Sequence, residues 1–227
     1  MRAASRCAAM RIKAILFDID GTLVDSNELH VTAWDQVFRE AGYAFDRAVL
    51  HEQIGKGGDN YIPALLPDAS EDEQEKLRDS HKQLFTGTYI EKVTAFPGAR
   101  DLLIRVRDSG RQVMLASSAS KEELDAHLRT LEADGIIDET TSADDVEASK
   151  PCPDIFEAAV KRAGVEPSEA IVVGDTPYDI EAGRSSGVDA VAVRSGGFPD
   201  EALSGAVAIY DDVAALLADF ESSPLNR

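Results

Sequence analysis

The chain has 227 residues, of which 44% are hydrophobic and 29% charged, a composition typical of a folded protein with a substantial core. Its 42 acidic and 23 basic residues give a formal net charge of −19, which argues against nucleic acid or an anionic membrane as a partner. No apolar run approaches the length of about 18 residues that a membrane-spanning helix needs.

The N-terminal segment and the cysteines indicate the compartment. Residues 1–11 carry three arginines but no apolar stretch of signal-peptide type. We therefore expect a disordered tail over residues 1–10, with Met10 as an alternative start. Cys7 and Cys152 lie far apart and form no CxxC motif, which favours free thiols in a reducing, cytoplasmic environment.

Short apolar runs along the chain predict the strands of a sheet. They are Ile12–Phe17, Gln112–Ala116, Ile136–Ile137, Ala170–Val173 and Ala190–Val193. From the second run onward, helical patterns separate the strands, namely Glu122–Ala133, Asp154–Ala163 and a helix from Pro177 to Gly187. This alternation predicts an α/β fold, a doubly wound, Rossmann-like parallel sheet covered on both faces.

A helical insert separates the first strand from the second. The periodicity predicts a helix over His30–Ala41, and Ser70 with Glu73 forms a capping box for a long acidic helix. The insert is much longer than an ordinary connection. We therefore expect a catalytic core from residues 11–25 and 95–227, with an α-helical cap over residues 26–94 that covers the carboxyl ends of the strands.

Polar side chains stand where the predicted strands end and the helices begin. They are Asp18 and Asp20 after the first strand, Ser117 and Ser118 after the second, Lys150 before a helix, Asp175 after the fourth strand, and Asp179 in the following helix. Each motif alone has an ordinary structural explanation as a turn, a helix cap or a solvated lysine. Their common order along the sheet edge indicates a site.

The residue types indicate the chemistry of that site. Carboxylates that converge repel one another unless a cation joins them, and an all-oxygen set without His or Cys suits Mg²⁺. A lysine, a serine hydroxyl and helix N-terminal amides on the same rim suit a phosphate group. One aspartate is then available as a nucleophile and the other as a general acid and base.

Four stretches of the chain resemble the ordered motifs of the haloacid dehalogenase superfamily. They are "DIDGTLVDS", "LASSAS", "SKPCPDIF" and "GDTPYDIEAG", and the likeness extends from about Lys13 to Val193 with a helical cap between the first two. The chain is similar to the subclass with phosphoglycolate-phosphatase-like and beta-phosphoglucomutase-like members. The resemblance implies a phosphoric monoester hydrolase.

The resemblance also implies roles for the polar residues. Asp18 would attack phosphorus and become an aspartyl-phosphate, while Asp20 would protonate the leaving oxygen and then activate water. Ser117 and the Ser118 amide would bind the phosphoryl group, and Lys150 would offset its charge and that of Asp18.

A magnesium site is implied in the same way. Asp18 and Asp175 would ligate Mg²⁺ through their side chains, and Asp20 would contact it through its backbone carbonyl. Asp179 would support the site from behind.

Several related activities remain open. Dehalogenases of the superfamily lack the second aspartate, so Asp20 favours phosphoryl transfer. Lys56 is a weak candidate for the Schiff-base lysine of phosphonatases. Mutases share the pattern of His30 and Trp34. They also carry a cap arginine, whereas the corresponding stretch of this chain has Asp59 and no arginine. Receiver domains, a non-enzyme alternative, also cluster carboxylates but lack the helical insert.

The cap is expected to select the substrate, since the core accepts any phosphoryl group. The loop "IGKGGDNY", residues 54–61, would cover the site together with His30, and Lys56, Asp59, Asn60 and Tyr61 would supply contacts. We expect Lys56 and His30 to bind a small phosphorylated metabolite, a sugar or organic-acid phosphate. A monomer or a weak homodimer is expected.

Overall fold

A six-stranded parallel sheet forms the centre of the structure, a computed structural model that describes residues 12–227. Its strand order is β5-β4-β1-β6-β7-β8, and a separate antiparallel pair is formed by β2 and β3. In chain order the strands are β1 (Ala14–Phe17), β2 (Val24–Asp25), β3 (Thr94–Ala95), β4 (Gln112–Ala116), β5 (Glu139–Thr141), β6 (Ala170–Gly174), β7 (Asp189–Val193) and β8 (Ala208–Tyr210).

Helices cover both faces of this sheet and also build the insert. In chain order they are α1 (Asn27–Glu40), α2 (Arg47–His51), α3 (Gly58–Leu65), α4 (Glu71–Leu84), α5 (Ala99–Asp108), α6 (Lys121–Thr130), α7 (Asp154–Ala163), α8 (Pro177–Ser185), α9 (Asp200–Leu203) and α10 (Val213–Ala218). Helices α5, α6 and α10 pack on one face, and α7, α8 and α9 on the other.

Strand β1 is buried on both sides because it is central. Ile15 and Phe17 pack with the helices of one face, and Ala14 and Leu16 with those of the other. Such a strand requires an uninterrupted apolar sequence, which is the run that the sequence shows. A polar residue that follows Phe17 therefore lies at the carboxyl end of the central strand.

The strand order reverses between β1 and β6. From β1 the chain continues through β4 and β5 on one side, and it then returns to build β6, β7 and β8 on the other. A crevice opens outside the carboxyl ends of the strands at such a reversal. The predicted doubly wound, Rossmann-like α/β core with a helical cap is confirmed.

Three details differ from the sequence prediction. The predicted strand Ile136–Ile137 is wrong: Ile136 packs into the core from a turn after Gly135, and the strand there is β5. The apolar pair buries Ile136 from a loop, whereas the three residues of β5 itself, at the edge of the sheet, are polar. The short strands β8 and the β2–β3 pair were not predicted.

The insert has an apolar core of its own. It consists of Val31, Trp34, Val37, Phe38, Leu50, Ile54, Tyr61, Ile62 and Leu77. The predicted cap on the acidic helix α4 is present, since Ser70 accepts a hydrogen bond from the backbone N–H of Glu73. The β2–β3 pair lies where the chain passes from the sheet into the insert and back again. The predicted domain boundaries lie at the same place, and they stay a prediction.

Three further predictions concern the N-terminal tail, the cysteines and membrane crossing. The expected tail over residues 1–10, with Cys7, lies outside the described residues. Cys152 is a free thiol. Within residues 12–227, no helix combines the length and the apolarity that a membrane crossing requires.

Candidate active site

A buried ion cluster lies at the strand reversal. Asp18 follows β1, and Asp175 follows β6, the neighbouring strand. The Lys150 Nζ atom lies 2.5 Å from Asp18 Oδ1 and 2.7 Å from Asp179 Oδ1. All four side chains are almost wholly buried, with at most 2% of each residue exposed. The structure thus brings together residues that are up to 161 positions apart in the sequence.

Glycines make room for this cluster. Gly21 has a φ of +75°, which favours glycine. A Cβ atom there would collide with the side chains of Asn27 and Asp175. A Cβ at Gly196 would also collide with the Asp175 carboxylate. The glycine of "DIDGT" is therefore required both for its backbone conformation and for the space that Asp175 occupies.

Hydrogen bonds orient the Asp175 carboxylate. Thr22 Oγ1 donates to its Oδ1 at 2.9 Å, and Asn27 Nδ2 donates to its Oδ2 at 2.9 Å. Asn27 opens helix α1 and is 5% exposed. The sequence analysis missed Asn27, although a polar residue directly after "DIDGTLVDS" at a helix start was a usable signal. Each carboxylate oxygen retains a lone pair for a cation.

Asp179 is held from behind by the first turn of helix α8. Its Oδ2 accepts from the Thr176 backbone N–H at 3.0 Å and from Thr176 Oγ1 at 2.6 Å, while Oδ1 accepts from Lys150. Both oxygens therefore have protein donors. This arrangement is compatible with the predicted supporting role, which stays a prediction.

The donor set fits a divalent cation. Oxygens of Asp18, Asp175 and Asp179 lie within 4.8 Å of one another. Burial raises the pKa of Asp18 well above its ordinary value, and burial together with the charge of Asp179 raises the pKa of Asp175 to about 7. Lys150 compensates only part of the negative charge, so a hard cation such as Mg²⁺ would stabilise the ionised cluster.

Asp20 lies apart from this cluster and is held through one oxygen. Asp20 Oδ1 accepts from Ser26 Oγ at 2.6 Å and lies 3.3 Å from His30 Nε2 and 3.2 Å from His127 Nε2. Its side chain is not among the clustered carboxylates. The predicted metal contact through the Asp20 backbone carbonyl stays a prediction. Ser26 and His30 hydrogen-bond to Oδ1, and His127 Nε2 approaches it without hydrogen-bond geometry. Oδ2 has no hydrogen-bond partner within residues 12–227, and Asp20 lines the cavity described below.

His127 was missed by the sequence analysis. It lies on helix α6, fully buried, on the face that also buries Leu124. Burial alone would lower the pKa of His127, but the Asp20 carboxylate raises it above its ordinary value. Burial would in turn raise the pKa of Asp20, but His127 and His30 hold it well below its ordinary value. A histidine on an apolar helix face was the available signal.

Aromatic rings of the cap fix the orientation of His30. Its ring stacks on Phe85 with a centroid distance of 3.7 Å, and its Nδ1 lies 3.5 Å from His81 Nε2. His81 stacks in turn on Trp34 at 3.9 Å. His30 thus both packs in the cap and reaches Asp20, and Trp34 belongs to the cap core.

The predicted phosphate-binding serines follow strand β4. Ser117 is buried, and its Oγ accepts from the Ala119 backbone N–H at 3.0 Å. Ser118 Oγ is buried without a hydrogen-bond partner among residues 12–227. Helix α6 begins directly afterwards with a capping box at Ser120 and Glu123. A buried hydroxyl without a partner beside a helix start is suited to receive an anion.

The loop over residues 54–61 docks on the core. Asp59 Oδ2 accepts from the Ser149 backbone N–H at 2.9 Å, and Asn60 Nδ2 donates to the Ser149 carbonyl at 2.9 Å. The Tyr61 hydroxyl donates to the Leu50 carbonyl inside the cap. These polar groups thus have partners within the protein, while Tyr61 also lines the cavity described below. The expected substrate contacts of the three residues stay predictions.

A cavity of about 300 Å³ lies between core and cap. Its lining contains Asp18, Asp20, Ser117, Ser118, Lys150, His30 and Lys56 from the sequence prediction, and also Glu123, Trp34, His81, Arg78, Asp79 and Lys82. Lys56 Nζ donates to Gln53 Oε1 at 2.6 Å and lies 4.6 Å from the centre of the Tyr178 ring. The predicted substrate contacts of Lys56 and His30 stay predictions.

Comparison with known proteins gives the family. Residues 15–193 match the family model described as haloacid dehalogenase-like hydrolase. The chain therefore belongs to this family, and the predicted enzyme class, a phosphoric monoester hydrolase of the family, is confirmed. The fold, the strand reversal and the buried aspartates are in keeping with this assignment.

Individual relatives cover nearly all of the chain. The PpaX protein of Caldanaerobacter subterraneus, named a pyrophosphatase, is 30% identical over 86% of this chain and 87% of its own length. A hydrolase from Pseudomonas syringae is 29% identical, with a TM-score of 0.87 over 92% of this chain and 98% of that one. CbbY of Rhodobacter sphaeroides in complex with phosphate is 27% identical, with a TM-score of 0.77 over 90% and 96%.

The contact of His127 with Asp20 leads to a first prediction. In His127→Leu, Asp20 Oδ1 keeps Ser26 and His30 but loses the ring nitrogen that lies 3.2 Å away. We expect kcat with an aryl phosphate to fall about 10-fold or more with little change in KM. Steady-state kinetics checks this, and Arg129→Gln, an exposed change on the same helix, is the matched control. An unchanged kcat would show that His127 only fills space.

The pairing of Lys150 leads to a second prediction. In Lys150→Met, the cluster loses its ammonium, and we expect the free energy of unfolding to fall by about 3–5 kcal/mol at pH 8. The loss should shrink towards pH 5, since carboxyls whose folded pKa is raised are protonated there and need no compensation.

Urea denaturation between pH 5 and 8 measures this loss, and Lys161→Met, an exposed lysine of α7, is the control. Adding Mg²⁺ should recover part of the stability by binding the folded state. A loss that does not depend on pH would contradict the charge-compensation explanation.

Proposed function

We propose that the protein is a Mg²⁺-dependent phosphatase that hydrolyses small phosphomonoesters through an aspartyl-phosphate intermediate. The observation that carries this proposal is the separation of two aspartates at the end of β1. Asp18 belongs to the buried ion cluster, whereas Asp20 lies outside it. Oδ2 of Asp20 has no hydrogen-bond partner within residues 12–227, since the contacts of Asp20 are made through Oδ1. Two carboxylates in such different surroundings are suited to different tasks.

In the first step, a carboxylate oxygen of Asp18 attacks phosphorus. Lys150 occupies Oδ1, which leaves Oδ2 for the attack. The bond between phosphorus and the ester oxygen breaks, and that oxygen takes a proton from Asp20 Oδ2 and leaves as the alcohol. The dianionic phosphoryl group raises the pKa of Asp20 by repulsion, so that Oδ2 enters the step protonated and regains its proton from the water of the second step.

In the second step, water attacks the phosphorus of the aspartyl-phosphate. Asp20 Oδ2 accepts a proton from this water, the bond between Asp18 and phosphorus breaks, and inorganic phosphate is released. Both residues return to their starting state. The hold of Ser26, His30 and His127 on Oδ1 keeps Oδ2 directed at the reacting atoms through both steps.

The remaining polar groups bind the transferred phosphoryl. Ser118 Oγ has no other partner, Ser117 lies beside it, and Lys150 adds positive charge. Mg²⁺ held by Asp18 and Asp175 would neutralise charge on the phosphoryl oxygens as it is transferred. The fit of the three carboxylates to a hard cation supports this assignment.

The substrate is a small phosphorylated metabolite, a sugar or organic-acid phosphate. The cavity volume of about 300 Å³ suits a ligand of that size. Phosphate bound to CbbY and the pyrophosphatase name of PpaX support phosphoryl chemistry. The expected cytoplasmic location and monomeric or weakly dimeric state belong to the same proposal.

A sugar-phosphate mutase is the second candidate. The observation in its favour is His30, which reaches Asp20 from the cap. Product analysis separates the two: a phosphatase releases inorganic phosphate in equal amount to the ester consumed, and a mutase yields an isomeric ester without net release.

The two aspartates should be separable by mutation. Asp18→Asn should abolish both turnover and covalent phosphate, since an amide does not attack phosphorus. Asp20→Asn should still form an aspartyl-phosphate slowly from a substrate with a good leaving group, but should not hydrolyse it. Mass spectrometry of acid-quenched protein measures the adduct. Near-normal turnover by Asp18→Asn would reject Asp18 as the nucleophile.

Turnover should depend on the metal. Removal of Mg²⁺ by a chelator should abolish phosphate release, and Mg²⁺ should restore it. Asp175→Ala should lose most activity and should weaken Mg²⁺ binding in calorimetry. Asp189→Ala, an exposed aspartate at the far end of β7, is the control for an equal change of charge. Full turnover in metal-free buffer would contradict the proposed site.

A further inference from the structure

Glu123 closes the capping box of helix α6 with only one of its two carboxylate oxygens. Its Oε2 accepts hydrogen bonds from the Ser120 backbone N–H at 2.9 Å and from Ser120 Oγ at 2.8 Å. Its Oε1 has no hydrogen-bond partner within residues 12–227. Because Glu123 is 6% exposed and lines the cavity between core and cap, the unpartnered oxygen belongs to a buried carboxylate on the wall of the candidate active site.

The other capping boxes that the structure describes are completed by a cation. In each of them one carboxylate oxygen closes the box, and the other oxygen pairs with a lysine or an arginine. These pairs are Asp145–Arg162, Glu169–Lys13 and Asp179–Lys150, with distances of 2.6, 2.5 and 2.7 Å. Glu123 is the exception, since no basic side chain forms an ion pair with it in the described part of the chain.

Glu123 stands on the side of the cavity from which the leaving group departs. It lies one helical turn before His127, and residues four apart are neighbours on a helix face. Burial alone would lower the pKa of His127, whereas the charge of Asp20 and, to a smaller extent, that of Glu123 raise it. Asp20 protonates the leaving oxygen in the proposed mechanism. Glu123 is not among the clustered carboxylates that fit a metal ion.

We propose that Glu123 determines specificity by binding a positively charged amino group on the leaving group of the substrate. A buried carboxylate is costly unless its charge is compensated, and the two donors of Ser120 are neutral. An ammonium group of the substrate takes the place at Oε1 that a lysine or an arginine takes in the other boxes. This proposal rests on the phosphatase function and narrows its substrates to sugar or organic-acid phosphates that carry an amine.

A hydroxyl group is the alternative partner for Oε1. A hydroxyl donates a hydrogen bond to a carboxylate but leaves its negative charge in place, whereas an ammonium group donates and compensates the charge. The two partners therefore differ in how strongly the negative charge of Glu123 contributes to binding. That difference separates them by experiment.

Esters that differ only in their terminal group test the proposal. One series consists of propyl, 3-hydroxypropyl and 3-aminopropyl phosphate, and a second consists of ethyl, 2-hydroxyethyl and 2-aminoethyl phosphate. The assays contain Mg²⁺ at neutral pH, where an alkylamine is protonated. In at least one series, kcat/KM for the amino ester should exceed that for the hydroxy ester about 10-fold or more, chiefly through KM.

A conservative variant assigns this preference to Glu123. Glu123→Gln removes the charge, and glutamine at this position also closes a capping box. The ratio of amino to hydroxy ester should fall to about one. Because the ratio compares esters on the same variant, a general change of turnover through His127 and Asp20 cancels. Glu122→Gln, an exposed glutamate on the same turn, is the control for an equal change of charge and should leave the ratio unchanged.

Phosphonates give a readout that does not require turnover. In 3-aminopropylphosphonate and 4-aminobutylphosphonate a CH₂ group replaces the ester oxygen of the two amino esters. Calorimetry in the presence of Mg²⁺ should show at least one of them binding about 10-fold or more tightly than propylphosphonate or butylphosphonate, respectively. The difference should persist in Glu122→Gln and disappear in Glu123→Gln.

Two results overturn the proposal alone. One is hydrolysis of the hydroxy esters as efficiently as the amino esters in both series, and the other is an amino preference that Glu123→Gln retains. In both cases the esters are still hydrolysed, so the phosphatase function stands. Failure to hydrolyse any ester, p-nitrophenyl phosphate included, would reject the phosphatase function, and the phosphonate measurement then decides on Glu123 by itself.

Discussion

The contact of one ammonium group with two buried carboxylates is the interaction on which the site depends. Lys150 lies between Asp18 and Asp179, and Asp175 stands close by, all withdrawn from water. Three carboxylates in that space would be strongly unfavourable without Lys150 and a further cation. The strand reversal places β1 beside β6, so the parallel sheet brings the carboxylates that follow these strands close together. The lysine and the cation compensate the negative charge of these carboxylates.

The segment that carries Lys150 also receives the cap. Ser149 bonds to Gly57, Asp59 and Asn60, and Lys150 follows it directly. The cap loop and the charge compensation of Asp18 therefore share one short piece of chain.

The sequence was informative where a feature is local or periodic. The uninterrupted apolar run of β1, the alternation of strands and helices, and the order of Asp18, Lys150 and Asp175 predicted the fold and placed the core of the site at one sheet edge. The strand predicted at Ile136–Ile137 was wrong because an apolar pair that is buried from a loop has the same composition as a short buried strand.

Features that depend on tertiary contacts could not be predicted from the sequence. The place of His127 beside Asp20 depends on where helix α6 lies in the core. The contacts of Asp59 and Asn60 with Ser149 depend on the docking of the cap. Arg78 enters the cavity because Gly58, twenty residues earlier in the chain, leaves room for its stem. In each case the residue type was visible, but its partner was not.

Anomalous diffraction from crystals loaded with Mn²⁺, as a stand-in for Mg²⁺ at an all-oxygen site, tests the central claim most directly. We expect a single strong peak in contact with Asp18 and Asp175, with Lys150 still paired to Asp179. A cation bound elsewhere in the cavity, or carboxylates that remain without a cation while the crystals retain phosphatase activity, would contradict the claim that these aspartates form the metal site.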